Sequence, residues 1–81
     1  MTQEKLNALQ SGINKFAKSN SECVRNMMNL SEMASRDGVL SKKMKELVFV
    51  ALAIQQQCDF CIAHHVYEAM QAGATAEEIY E

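Results

Sequence analysis

In the stretch "QQQCDFCIAHHVYEAM", residues 55–70, two cysteines stand three apart and two adjacent histidines follow. Residues of these types at this spacing can pack as small apolar groups, hold a metal ion, or exchange electrons through a reversible disulfide. Helical geometry narrows the choice. An α-helix turns by about 100° per residue, so with 58–72 on one helix and Cys61 at zero, Cys58 lies near +60°, His65 near +40° and His64 near −60°. His65 therefore falls between the two sulfurs on one face, and it is the histidine placed to serve them. His64 flanks Cys61 and reads as an exposed or hydrogen-bonding neighbour.

The position of the pair along the helix adds to this. Cys58 falls at or just before the first turn and Cys61 within it, where unpaired N–H groups and the positive end of the helix dipole favour a thiolate. By that reasoning alone Cys58 is the more exposed and more acidic sulfur. Zinc fits less well. Metal-binding pairs draw on a second pair elsewhere, and the remaining cysteine, Cys23, stands alone beside Met27 and Met28, where it reads as core. Glu46 is the other residue with chemical interest. It shares a helical stripe with Phe49, Val50, Ala53 and Gln57, and a carboxylate on an apolar stripe needs a partner. The bland alternative is a glutamate in the first turns of a helix, facing water.

The elements that must position these groups are all helical. Proline is absent and glycine occurs three times, at Gly12, Gly38 and Gly73. Leu6, Leu9, Ile13 and Phe16 form a first stripe, ending near "KSNSE" at 18–22. Val24, Met27, Met28 and Ala34 continue a second, closed by "RDG" at 36–38. Ser41 caps a third helix, which runs through "KKMKELVFVALAI" into the glutamines. A fourth begins around Cys58 and ends at Gly73, a residue suited to a left-handed C-terminal cap. Thr75 with Glu78 three residues later matches a capping box that opens a fifth. The chain ends at Glu81 after about one and a half turns of that helix, which reads as truncation at the C-terminus. With no strand alternation, repeat or linker, residues 1–81 form one all-α domain.

Bulk properties remove other classes. The apolar fraction is 48%, charged residues make up 22%, and the net charge is −2, so no basic footprint for nucleic acid exists. No apolar run approaches the roughly 20 residues that span a bilayer. The N-terminal residues lack the layout of a secretion signal, and three cysteines make an odd number for a secreted disulfide framework. The expectation is a cytoplasmic protein, in which a close cysteine pair is redox-active or metal-binding. At 81 residues the core is thin, and oligomerisation is one remedy. A thioredoxin scaffold needs strands beside the pair, and its family keeps a cis-proline there; this chain offers neither.

Glu46, an eleven-residue gap, then Cys58-x-x-Cys61-x-x-x-His65 resembles the signature of the alkylhydroperoxidase AhpD-like group, within the carboxymuconolactone decarboxylase superfamily. The likeness is specific across residues 40–81 and rests on helical character alone over 1–39. It implies a small all-α domain of four to five helices with a helical hairpin carrying the Cys-x-x-Cys motif. It further implies that Cys61 attacks the O–O bond of a hydroperoxide, Cys58 resolves to the disulfide, and Glu46 and His65 relay the proton. A dithiol carrier of the lipoamide or thioredoxin type would reduce the bridge, in antioxidant defence. No metal or organic cofactor is called for. Family members assemble as trimers or hexamers, and they continue for another helix or two beyond the equivalent of Glu81. The superfamily's peroxidases place a histidine before the second cysteine where this chain has Phe60. The alternatives are a lactone decarboxylase like the superfamily's namesake, which generally lacks the cysteine pair, and a non-catalytic helical oligomerisation module.

Overall fold

Polar caps set the helix starts. The computed structural model describes residues 2–81, and among them every regular element is helical: α1 (Thr2–Ser19), α2 (Ser21–Ser35), α3 (Lys42–Gln55), α4 (Asp59–Gln71) and α5 (Ala76–Tyr80). The Asn20 side chain accepts from the Cys23 N–H to open α2, and Ser41 Oγ accepts from the Met44 N–H to open α3. Asp37 Oδ1 takes a further unpaired donor of α3, the Lys42 N–H, at 2.6 Å. The capping box at α5 is complete: Thr75 Oγ1 accepts from the Glu78 N–H, and Glu78 Oε1 accepts from the Thr75 N–H. Lys43 Nζ lies 2.7 Å from Glu78 Oε2. That hydrogen bond, with the Thr75 backbone, holds the Glu78 carboxyl below its ordinary value.

α3 and α4 form the antiparallel hairpin at the centre, and α1 packs against α2 and α4. The turn between α3 and α4 consists of Gln56, Gln57 and Cys58. Gln57 adopts a left-handed conformation, φ 55°. Its N–H donates to the Ile54 carbonyl and the Cys58 N–H to the Ala53 carbonyl, the paired bonds of a Schellman motif. The end of α4 repeats the device with Gly73 at φ 101°: its N–H donates to Met70, and the Ala74 N–H donates to Ala69. Gly73 was expected in that role. Gln57 was not, because nothing in its residue type announces a positive φ.

The buried residues are mostly small: Val24, Val50, Ala53, Ala63, Ala69 and Ala74. Alanines on facing surfaces let the helices approach closely but remove little apolar area from water per residue. Larger apolar side chains stay at the surface, among them Leu30 at 67% and Ile54 at 57% exposure. Cys23, Met27 and Met28 belong to this group: all three are exposed, against the expectation that they are core. α2 turns Val24 and Ser35 inward, while Met28 borders a cavity it shares with α1, and Met27 and Met33 lie exposed. No helix among them is long and apolar enough to cross a membrane.

The two Schellman positions give a paired prediction. Gly73→Ala places a Cβ at φ 101° and should cost about 1–2 kcal/mol, while Gln57→Gly should stabilise by roughly 0.5–1 kcal/mol. Urea unfolding of both variants at equal protein concentration measures this, and equal effects of the same sign would contradict it.

Candidate active site

Cys58 is not the first residue of a helix but its N-cap, with extended backbone angles of φ −100° and ψ 101°. That conformation follows from its double duty. Its N–H closes the Schellman turn of α3, while its side chain begins α4. Cys58 Sγ accepts from the Cys61 N–H at 3.2 Å, so a sulfur stands where a serine or aspartate oxygen usually caps a helix. The Cys58 and Cys61 sulfurs are joined as a disulfide, with Cα atoms 5.2 Å apart, within the ordinary range for such bridges. Exposure runs opposite to the helix-terminus argument: Cys61 is exposed and Cys58 half-buried. Cys58 is pinned against the end of α3 by its backbone bond to Ala53, while Cys61, in the first turn of α4, is exposed on the cavity side.

One turn further on, His65 turns towards α3. Its Nδ1 lies 2.7 Å from Glu46 Oε1. Glu46 is 2% exposed, so the reading of a water-facing helix carboxylate does not hold. A carboxylate that carries its charge can only accept, and in that state the facing imidazole nitrogen is the donor. The other carboxylate oxygen, Oε2, is 3.3 Å from Lys42 Nζ. Lys42 also reaches Glu68 Oε2 at 3.5 Å and donates to Ser35 Oγ at 3.4 Å. Burial works to lower the proton affinity of Lys42, but the hydrogen bond and charge of Glu46, with those of Glu68, outweigh it and hold the ammonium above the usual lysine value. Phe49 and His64 flank the imidazole of His65, each ring centroid 4.9 Å away.

A cavity of about 690 Å³ opens on this side of α4. Cys61, His64 and His65 contribute to its wall from α4, while Leu6, Leu9 and Ile13 face it from α1. The four residues singled out by sequence thus form two adjoining units: the disulfide at the tip of α4, and the Glu46–His65 pair behind it. His65 and Cys61 border the same space. Among the described residues no three His, Cys, Asp or Glu side chains converge as metal ligands would. Lys42, Glu68 and Ser35 were not anticipated. The Lys42–Glu46 spacing of four was readable as a helix pair, but nothing in the sequence distinguished it from an exposed one. His64, expected as a neighbour of Cys61, is half-buried in the cavity wall. Tyr67 also borders the cavity, without any spacing that would have marked it.

The model of the carboxymuconolactone decarboxylase family matches residues 22–81. The chain belongs to the carboxymuconolactone decarboxylase family. An uncharacterized protein of the cox locus of Paracoccus denitrificans is 46% identical over 52 residues, covering 64% of this chain and 47% of that protein. An uncharacterized protein of Cupriavidus necator is 44% identical over 48 residues, covering 59% of this chain and 42% of that one. The chain therefore spans less than half the length of these curated relatives. Its fold is similar to the crystal structure of an apo carboxymuconolactone decarboxylase family protein from Legionella pneumophila, at a TM-score of 0.89 and 33% identity. That likeness covers 98% of this chain and 70% of the other. The family match includes α3, α4 and the disulfide and leaves out α1, the helix that closes the cavity opposite Cys61.

Burial, followed by the nearby charge of His65, lowers the proton affinity of His64 below the ordinary histidine value. The unfolded chain therefore binds the His64 proton first as pH falls. The contribution of neutral His64 is complete above about pH 6.5, the unperturbed histidine value, and is lost on acidification below it. His64→Gln should flatten the fall in Tm between pH 7 and pH 5 relative to wild type; parallel curves for the two proteins would contradict this.

Proposed function

We propose that the chain works as a thiol-dependent reductase of hydroperoxides or disulfides, with the Cys58–Cys61 pair as its redox centre. The observation that carries this reading is the placement of an exposed Cys61, bridged to Cys58, on a cavity it shares with the Glu46-bound imidazole of His65. In the reduced protein the Cys61 thiol passes its proton to Nε2 of His65, since Nδ1 is engaged by Glu46. The thiolate attacks one peroxide oxygen and the O–O bond breaks. Cys61 becomes a sulfenic acid, and the departing alkoxide takes the proton back to leave as the alcohol. The Cys58 sulfur then displaces hydroxide from the Cys61 sulfur, and with the Cys58 proton this leaves as water. Two thiols have lost two electrons and the peroxide has gained them. A dithiol carrier of the lipoamide or thioredoxin type returns both electrons and is itself oxidised to a disulfide.

The direction of reduction follows from exposure. The exposed Cys61 sulfur is the one an incoming thiolate can reach, and Cys58 leaves as a thiolate that the Cys61 N–H and the helix N-terminus already stabilise. We further propose that copies of the chain associate, as homotrimers or homohexamers. Leu30, Met33, Leu52 and Ile54 are large, apolar and exposed, and such side chains in number mark surfaces that other protein covers.

Adding one equivalent of peroxide to the reduced protein should remove two free thiols and form one intramolecular bridge. Cys61→Ser should abolish turnover, and Cys58→Ser should accumulate a sulfenic acid that a dimedone-type probe captures. Undiminished peroxide turnover in Cys61→Ser would reject the assignment. Lactone decarboxylation that survives loss of both cysteines would favour the chemistry of the family's name instead.

A further inference from the structure

Lys42 is the charged group behind the proton relay that neither the motif nor the proposed chemistry uses. Its ammonium is bonded to the oxygen of Glu46 that His65 leaves free, and it is shared with Glu68 and Ser35. We propose that Lys42 is a positioning residue that sets the proton state of His65, keeping the imidazole able both to take and to give a proton near neutral pH. The inference rests on the reading of His65 as the proton carrier for Cys61.

The argument is one of charge around a buried carboxylate. Glu46 from α3 pairs with His65 and has Lys42 on its other oxygen, while Glu68, His64 and Cys61 from α4 border the same cavity as His65. The polar side chains that α1 and α2 bring to the same cavity are Gln3, Asn7, Gln10 and Ser31, all uncharged. Two carboxylates therefore stand against a single permanent cation. With Lys42 present, Glu46 meets an ammonium at its Oε2 and the imidazole at its Oε1, so the carboxylate does not depend on His65 alone for a positive partner. Without Lys42, the fully buried Glu46 has His65 as its one remaining partner of possible positive charge, and the imidazole is driven to hold both protons. A histidine locked as imidazolium pairs with a thiolate but has no vacancy for the Cys61 proton, and it returns its own to a leaving alkoxide less readily. Lys42 also keeps Glu46 fixed in rotamer, because its own side chain is anchored on α2 through Ser35 and on α4 through Glu68. Three helices thus orient one carboxylate.

Nitrogen-15 NMR of the imidazoles in the whole chain, with no peroxide present, tests this directly. In wild type at pH 7, His65 should show the neutral form protonated on Nδ1. In Lys42→Met it should be mainly the doubly protonated form, and Lys42→Arg should restore the wild-type spectrum. Where turnover is measurable, the acid limb of the kcat/KM profile should move up by about one pH unit in Lys42→Met, a tenfold loss on that limb, and stay in place in Lys42→Arg. A doubly protonated His65 in wild type at pH 7, which needs no variant to detect, overturns the proposal. So does a folded Lys42→Met whose His65 spectrum is unchanged. Absence of peroxide turnover in wild type would count against the proposed function alone, because the NMR arm does not depend on it.

Discussion

A carboxylate removed from water must be paired, or it gives up its charge. Glu46 is buried to 2% exposure, and the arrangement of this molecule can be read as the set of contacts that partner it. Lys42 lies one turn before it on α3, His65 comes from α4, and Lys42 is itself braced by Ser35 of α2 and Glu68 of α4. No buried side-chain nitrogen or oxygen among the described residues lacks a hydrogen-bond partner. A network satisfied to that degree fixes the relative register of α3 and α4, since sliding either helix by one turn would strand the carboxylate.

The joint between those helices does the complementary task of placing sulfur. Two helices meet with Cys58 closing one and opening the other, which leaves no slack in the position of its sulfur. The cost is a glutamine held at positive φ, where glycine is usually found. Local backbone strain next to a reactive group is a recurrent feature of functional sites. Here it has an evident consequence: the tight turn brings the cysteine pair to the electropositive end of α4, and the hairpin brings His65 against Glu46 one turn below.

The rest of the interior contributes little volume. Alanines dominate it, and the larger apolar side chains of α2 and α3 lie outside. A domain with so small a core depends on its polar network and helix caps more than a larger protein would. It also leaves large apolar side chains exposed, Leu30, Leu52 and Ile54 among them.

The helices, the caps at Ser41 and Thr75 and the left-handed stop at Gly73 were legible in residue order, because capping and 3.6-residue periodicity are local and act over a few neighbours. The same holds for the grouping of Cys58, Cys61 and His65, which lie within two turns of one another. Glu46 was legible through its place on an apolar stripe and through the family resemblance, but its burial and its bond to His65 were not, since the two are nineteen residues apart in sequence. Helix-terminus reasoning misjudged the sulfurs, favouring Cys58 as the exposed one where the family resemblance pointed to Cys61 for attack. A helix viewed alone exposes its first residue, whereas here the end of α3 covers it. Cys23, Met27 and Met28 went wrong for a related reason: an amphipathic stripe states which face of a helix seeks cover, and only packing decides whether cover is there. Local chemistry thus specified the parts and the types of reactive group. Which charges meet, which sulfur faces outward and which apolar faces stay bare were settled by the approach of distant helices, a long-range matter that no short window of residues encodes.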